Sequence, residues 1–245
     1  GGSPGGGAGL ELLDGLQVTP ASAVAVIRNG VPATAQFRAL GTRAGASVDV
    51  TDQVTWAVDG APLATVSGPG RISSTTAHGG TVAVRATGGG ASASALLRLR
   101  VEFVTLVDDA QAPLPANAAE RFSGPAEAAR APQLVYPNDG VLVPPNLGRL
   151  EVHYRRGQSA NTLFEVSFRN ALTDVRIVTR CVPLADGCLF EVTGPLWERL
   201  GATNAGGEPL ELRVRGTDEL GSAVGSSAVQ KLSVTPDAVA GALYY

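Results

Sequence analysis

Methionine is absent from this chain of 245 residues, lysine occurs once (Lys231), and histidine and cysteine occur twice each. Each shortage narrows what the chain can be. Two cysteines exclude a dense disulfide framework, and they supply only half of a cysteine zinc shell. Basic residues number 19 against 22 acidic ones, for a net charge of -3, and no Lys/Arg cluster is dense enough to neutralise a phosphate backbone. A nucleic-acid partner is therefore not expected. No stretch approaches 18 consecutive apolar residues, so no membrane-spanning helix is expected. The basic residues are almost all arginine, which reads as the codon usage of a GC-rich genome and carries no mechanistic weight.

What the chain does contain is glycine (31) and proline (16), beside 44% hydrophobic and 17% charged residues. That balance favours many short elements joined by turns. At about 150 residues per domain, the length predicts one to two domains, each large enough to bury its own core. Residues 1–10, GGSPGGGAGL, form a flexible leader with no apolar signal segment behind it, and the chain reads as a mature or trimmed fragment of a longer multidomain protein.

From residue 11 to about 104 short alternating runs follow one another: AVAVIRNG, ATAQFRALG, VDVTDQVTWAV, TVAVRATGGG and ASASALLRLRVEF. Placing Val82, Val84 and Ala86 on one face sets Thr81, Ala83 and Arg85 on the other, as a half-buried sheet requires. Six to eight such strands predict a β-sandwich. Alanine at many inward positions predicts a thin core, with Trp56, Phe37 and Leu63 supplying much of the buried area. In order, LQVTPASAVAVIRNG, AQFRALG, VDVTDQVTWAVDG, LATVSGPGRI and GGTVAVRATGGGASASALLRLRV resemble the bacterial Ig-like domain group 2, the invasin and intimin-like repeat. The most specific pieces are Asp49-Val50-Thr51, Val54-Thr55-Trp56, Ala64-Thr65-Val66-Ser67 and Gly80-Thr81. The resemblance covers about 90 residues. It implies an immunoglobulin-like sandwich used as a spacer or adhesion module on secreted and cell-surface proteins, with no catalytic residues. The extra Pro32 in RNGVPATAQF departs from that pattern and predicts a late start for the next strand.

Residues 105–132 lose the alternation, become Ala- and Pro-rich and read as a semi-rigid linker. Asn117 is placed to cap a short helical turn through Phe122, with Glu120 at the capping-box position. From 133 to 237 alternation returns in six runs: RLEVHYRRG, TLFEVSFRN, TDVRIVTRC, CLFEVTG, PLELRVRGTD and AVQKLSVTP. PLWERLG reads as one or two helical turns burying Leu196, Trp197 and Leu200. This is a second sandwich of Ig or fibronectin III character, followed by a tail at 238–245. Its order, YPNDGVLVPPNLGRLEVHY, then the Cys pair, VRGTD and GALYY, resembles the segment that precedes a TolB-like propeller in large secreted bacterial proteins.

Cys181 and Cys188 flank the turn signal from Pro183 to Gly187, so a hairpin brings them within bridging distance. A disulfide is the expected state, implying an oxidising, extracytoplasmic compartment. A reduced pair and a metal site are the rival readings. No catalytic residue, cofactor site or metal site is expected. His78 sits in the turn TAHGG, and His153 lies in a strand on the face of Glu151 and Arg155, neither beside a nucleophile with an orienting group. The G-x-S-x-G match at Ser3 lacks the strand and helix of a nucleophile elbow. The glycine strings, 88–90 among them, lack the strand-to-helix context of a phosphate cradle. Asp49 with Asp52 and Asp108 with Asp109 lack a calcium-loop pattern. Tyr136, Tyr154, Tyr244 and Tyr245 are the aromatics left to stack on a sugar. The expectation is thus a non-enzymatic all-β spacer or adhesion segment, extracytoplasmic, with an unknown protein or glycan partner at the cell surface. The alternative is a carbohydrate- or protein-binding module using sandwich-end loops.

Overall fold

A computed structural model describes residues 11–60, 62–108 and 112–240. The leader, Ser3 included, together with Asp109, Tyr244 and Tyr245, lies outside the described residues. The chain divides into two compact units, Gly1–Arg100 and Val101–Tyr245.

The first unit is built from β1 (Gly15–Thr19), β2 (Ser22–Arg28), β3 (Thr34–Gln36), β4 (Arg38–Arg43), β5 (Ala46–Asp49), β6 (Thr55–Asp59), β7 (Ala64–Gly68), β8 (Arg71–Ser74), β9 (Gly80–Gly88) and the first part of β10 (Ala91–Leu106). Its sheets run β1-β4-β5, β3-β8-β7 and β2-β10-β9-β6. β9 and β10 form an antiparallel hairpin in which Gly88 faces Ala91. Gly89 and Gly90 take φ values of 56° and 77° there, the conformation that a two-residue hairpin turn demands and that glycine adopts without a Cβ clash. Along β9, Val82, Val84 and Ala86 are buried while Thr81 and Arg85 face solvent, as the alternation predicts. The core gathers Ile27, Phe37, Ile72, Leu97 and Leu99 with several alanines. Trp56 and Leu63 are only partly buried against it, so Phe37 is its one large fully buried aromatic. The strand after Pro32 begins at Thr34, late as expected.

The second unit contains β11 (Gln133–Tyr136), β12 (Val141–Val143), β13 (Arg149–Arg155), β14 (Leu163–Arg169), β15 (Thr173–Thr179), β16 (Val182–Leu184), β17 (Gly187–Thr193), helix α1 (Gly194–Asn204), β18 (Leu210–Thr217), β19 (Gly225–Ser226) and β20 (Gln230–Val234). One sheet runs β12-β20-β18-β14-β15, with residues 101–106 of β10 parallel to β15 and β19 on β18. The other is β11-β13-β17-β16. Their inner faces enclose Tyr154, Phe164, Phe168, Phe190 and Trp197 among aliphatic side chains. Burying a side chain of this size contributes roughly 1.5–3 kcal/mol. The whole is all-β, in immunoglobulin-like sandwiches.

Helix α1 carries Pro195 in its first turn, where the missing N–H costs nothing. It buries Trp197 and Leu200, with Leu196 packed beside them, and at three turns it is longer than PLWERLG alone predicts. Near its end Asn204 donates from Nδ2 to Leu200 O at 2.8 Å.

Residues 105–132, read above as a linker, fall inside the second unit. A 3-10 turn at Ala118–Ser123 buries Ala118 and Phe122 against Leu163, Val178 and Val224, on the outward side of β14 and β15. The capping expected of Asn117 does not form: the turn has no side-chain cap hydrogen bond. Proline spacing shows where alternation stops, but it does not show that one buried phenylalanine anchors the segment.

Candidate functional site

Cys181 and Cys188 are joined in a disulfide across the β16–β17 hairpin, where Leu184 faces Gly187 and the turn is Ala185-Asp186. Cys188 is buried in the main core, and Cys181 packs against it. The bridge thus ties the edge strand β16 to the sheet interior. In the chain-entropy account a loop this short stabilises by about 2 to 3 kcal/mol.

The same four strands carry a polar outer face that pairing register assembles. Tyr136 of β11 faces His153 of β13, His153 faces Leu189 of β17, and Leu189 faces Val182 of β16. One cross-strand row therefore reads Tyr136, His153, Leu189, Val182. The Tyr136 and His153 rings lie with centroids 5.2 Å apart. His153 Nε2 stands 2.8 Å from Glu151 Oε2 and donates to it, since an ionised carboxylate only accepts. Arg149 reaches Glu191 at 2.8 Å and Glu151 at 3.3 Å. Arg155 pairs with Asp186 at 3.0 Å. A hollow of about 390 Å³ is lined by Tyr136, Leu147, Arg149, Leu150, Glu151 and His153. A smaller one, about 140 Å³, shares His153 and reaches Arg155, Leu184 and Asp186.

The other candidate residues stand apart from this face. Tyr154 points into the core, where burial raises the pKa of its hydroxyl, so it offers no stacking surface. His78 is half-buried in a turn where its N–H meets Thr76 Oγ1. Asp49 accepts from Thr51 N at 2.9 Å and Thr51 Oγ1 at 2.6 Å, and these bonds hold its carboxyl below the ordinary value. It lines a shallow hollow with Asp52 and Arg38. Asp108 accepts from Leu114 N. Among the described residues no group of three or more His, Cys, Asp or Glu side chains converges as a metal would need.

Sequence reasoning missed an acidic and arginine clasp in the second unit. Asp218 accepts from Leu220 N and Ser222 N, both at 3.0 Å, and from Arg130 at 2.8 Å. Glu219 receives Arg180, which also donates to Ala112 O and Pro113 O. The Ser222 backbone bond leads in holding Asp218 below its ordinary pKa, and the Arg180 bond does so for Glu219. Deeper in, Glu165 is 1% exposed and receives both Nε and Nη2 of Arg215 at 2.9 Å. The signal lay in GTDELGS, where Asp precedes a Gly turn as in an Asx turn; its partners lie too far along the chain for spacing to reveal.

No protein-family model matches the chain, and no curated protein matches it in sequence. Among solved structures, three consecutive immunoglobulin domains of titin, carrying Glu-to-Ala changes, are similar at 12% identity and a TM-score of 0.26, covering 93% of this chain. An ICAM-5 ectodomain fragment is similar at 12% identity and 0.26, covering 91%. Sidekick-1 immunoglobulin domains 1–4 are similar at 15% and 0.26, covering 89%. The chain spans 66%, 52% and 51% of those fragments, respectively. The all-β fold class follows from the strand orders and the two cores described above.

Proposed function

We propose that the chain is a non-enzymatic spacer or adhesion segment of a secreted or cell-surface bacterial protein, its first unit a group 2 bacterial Ig-like domain and its second an Ig or fibronectin III-like domain. The observation that carries this reading is the pairing of two all-β units in one chain, each with a core of its own. A module of this kind acts by folded stiffness rather than by chemistry. The disulfide favours an oxidising, extracytoplasmic location, because such bonds persist there and are scarce in reducing cytosol. No helix among the described residues is long and apolar enough to cross a membrane.

Pulling the full chain from its two ends in a force spectrometer tests the reading. A spacer gives two separate unfolding events of unequal length, releasing chain on the order of 300 Å from the first unit and about 450 Å from the longer second unit at roughly 3.5 Å per residue. Extension without force peaks overturns it.

A further inference from the structure

The outer face of β11, β13, β17 and β16 holds chemistry that a spacer does not need. Its two hollows, about 390 and 140 Å³, share His153 in their lining and lie on either side of it along β13, so an extended ligand can span both as one groove. The larger volume falls within the roughly 300–1,000 Å³ of small-ligand sites. Tyr136, 43% exposed and paired with His153, supplies an aromatic wall on the β11 side. Leu184 and Val182, 42% and 54% exposed, supply an apolar margin on the β16 side.

We propose that this groove binds a neutral, linear glycan, with one sugar ring packed on Tyr136 and hydroxyls bonded to Arg149, Glu151 and His153. Three observations select that ligand. First, the polar side chains hold one another in place: Arg149 bridges Glu151 and Glu191, and Glu151 receives His153. Groups already ordered lose little entropy when a ligand arrives. A carboxylate only accepts and a guanidinium only donates, while a sugar hydroxyl does both and fits between them. Second, the charges on this face are Arg149 and Arg155 against Glu151, Glu191 and Asp186. Positive charge is not in excess, so nothing draws a sulfated or phosphorylated chain. Third, main-chain addition of a long peptide strand is disfavoured at both edges of this sheet. β16 carries Pro183 in its middle, and β11 lies between Pro132 and Pro137; proline donates no N–H to a new strand. The site lies on a sheet face, not on the loops at a sandwich end.

Affinity electrophoresis of the full oxidised chain in gels containing hydroxyethylcellulose, xylan, mannan or dextran, with heparin and polygalacturonate as anionic counterparts, tests the proposal. The expected result is retardation by at least one neutral polymer and by neither anionic one. Tyr136→Ala and His153→Ala then each weaken binding about tenfold, in line with loss of a stacking ring in the first and of a hydrogen bond to the sugar in the second. Glu151→Gln weakens it while leaving the thermal midpoint in place, so lost binding is separated from lost folding. Leu142→Ala, exposed on β12 in the other sheet, leaves it unchanged. No retardation by any neutral polymer, preference for an anionic polymer, or binding that survives all three groove variants overturns the proposal. The force experiment reads the spacer separately, so either reading can fail while the other stands.

Discussion

In the first unit, five of the fourteen buried core residues are alanine: Ala25, Ala39, Ala64, Ala86 and Ala95. The second unit's main core of twenty holds no alanine and includes Phe164, Phe168, Phe190, Tyr154 and Trp197. Both satisfy the same inward and outward alternation, yet they remove very different apolar areas from water, and hydrophobic stabilisation scales with that area. The second unit adds a disulfide, the buried Glu165 and Arg215 pair and the clasp on residues 112–130. Binary pattern decides which side of a sheet faces in; side-chain volume decides how much holding it there contributes. The second unit is expected to melt at the higher temperature.

Substitutions sharpen that contrast in descending order of effect. Phe168→Ala empties part of the larger core and should cost about 3–5 kcal/mol in the second unit's transition alone; chemical denaturation followed by near-ultraviolet circular dichroism checks it. Replacing Cys181 and Cys188 together with alanine should lower the same transition by about 2–3 kcal/mol and leave the first in place, as thermal melts of the variant would read. In the first unit, Thr51→Val removes bonds to Ala39 N and Asp49 and should cost on the order of 1 kcal/mol, seen as a shift of the lower transition.

Acid gives the smallest and most selective change. Asp218 and Glu219 titrate below their ordinary values when folded, because Ser222 N and Arg180 donate to them. A folded pKa below the unfolded one means stability that is complete above the unfolded value and is lost as pH falls through the folded one. Lowering pH from about 5 to 3 should therefore reduce the second unit's midpoint, and Asp218→Asn should flatten that slope. A slope that Asp218→Asn leaves unaltered would break the link between the clasp and acid sensitivity.

Much of this architecture was legible from residues. All six alternating runs predicted after residue 133 are strands, and β9 presents the expected inner face. The cysteine pair was readable because hairpin turn chemistry lies between the two positions. The strands that escaped notice, β11, β12, β16 and β19, have two to four residues each, too few for a period of two to stand out. The segment 105–132 misled because proline masks burial: Phe122 docks through contacts with Leu163, Val178 and Val224 that no local pattern encodes. The groove was half visible. Tyr136 and the shared face of Glu151 and His153 follow from the sequence, whereas Leu189, Val182 and Glu191 join them only through register between strands distant in the chain.

Differential scanning calorimetry of the full oxidised chain tests the central claim, that one polypeptide carries two separately cored all-β units. Two resolved transitions, with the higher one alone moved by Phe168→Ala, are the predicted result. A single transition that this substitution shifts as a whole would contradict it.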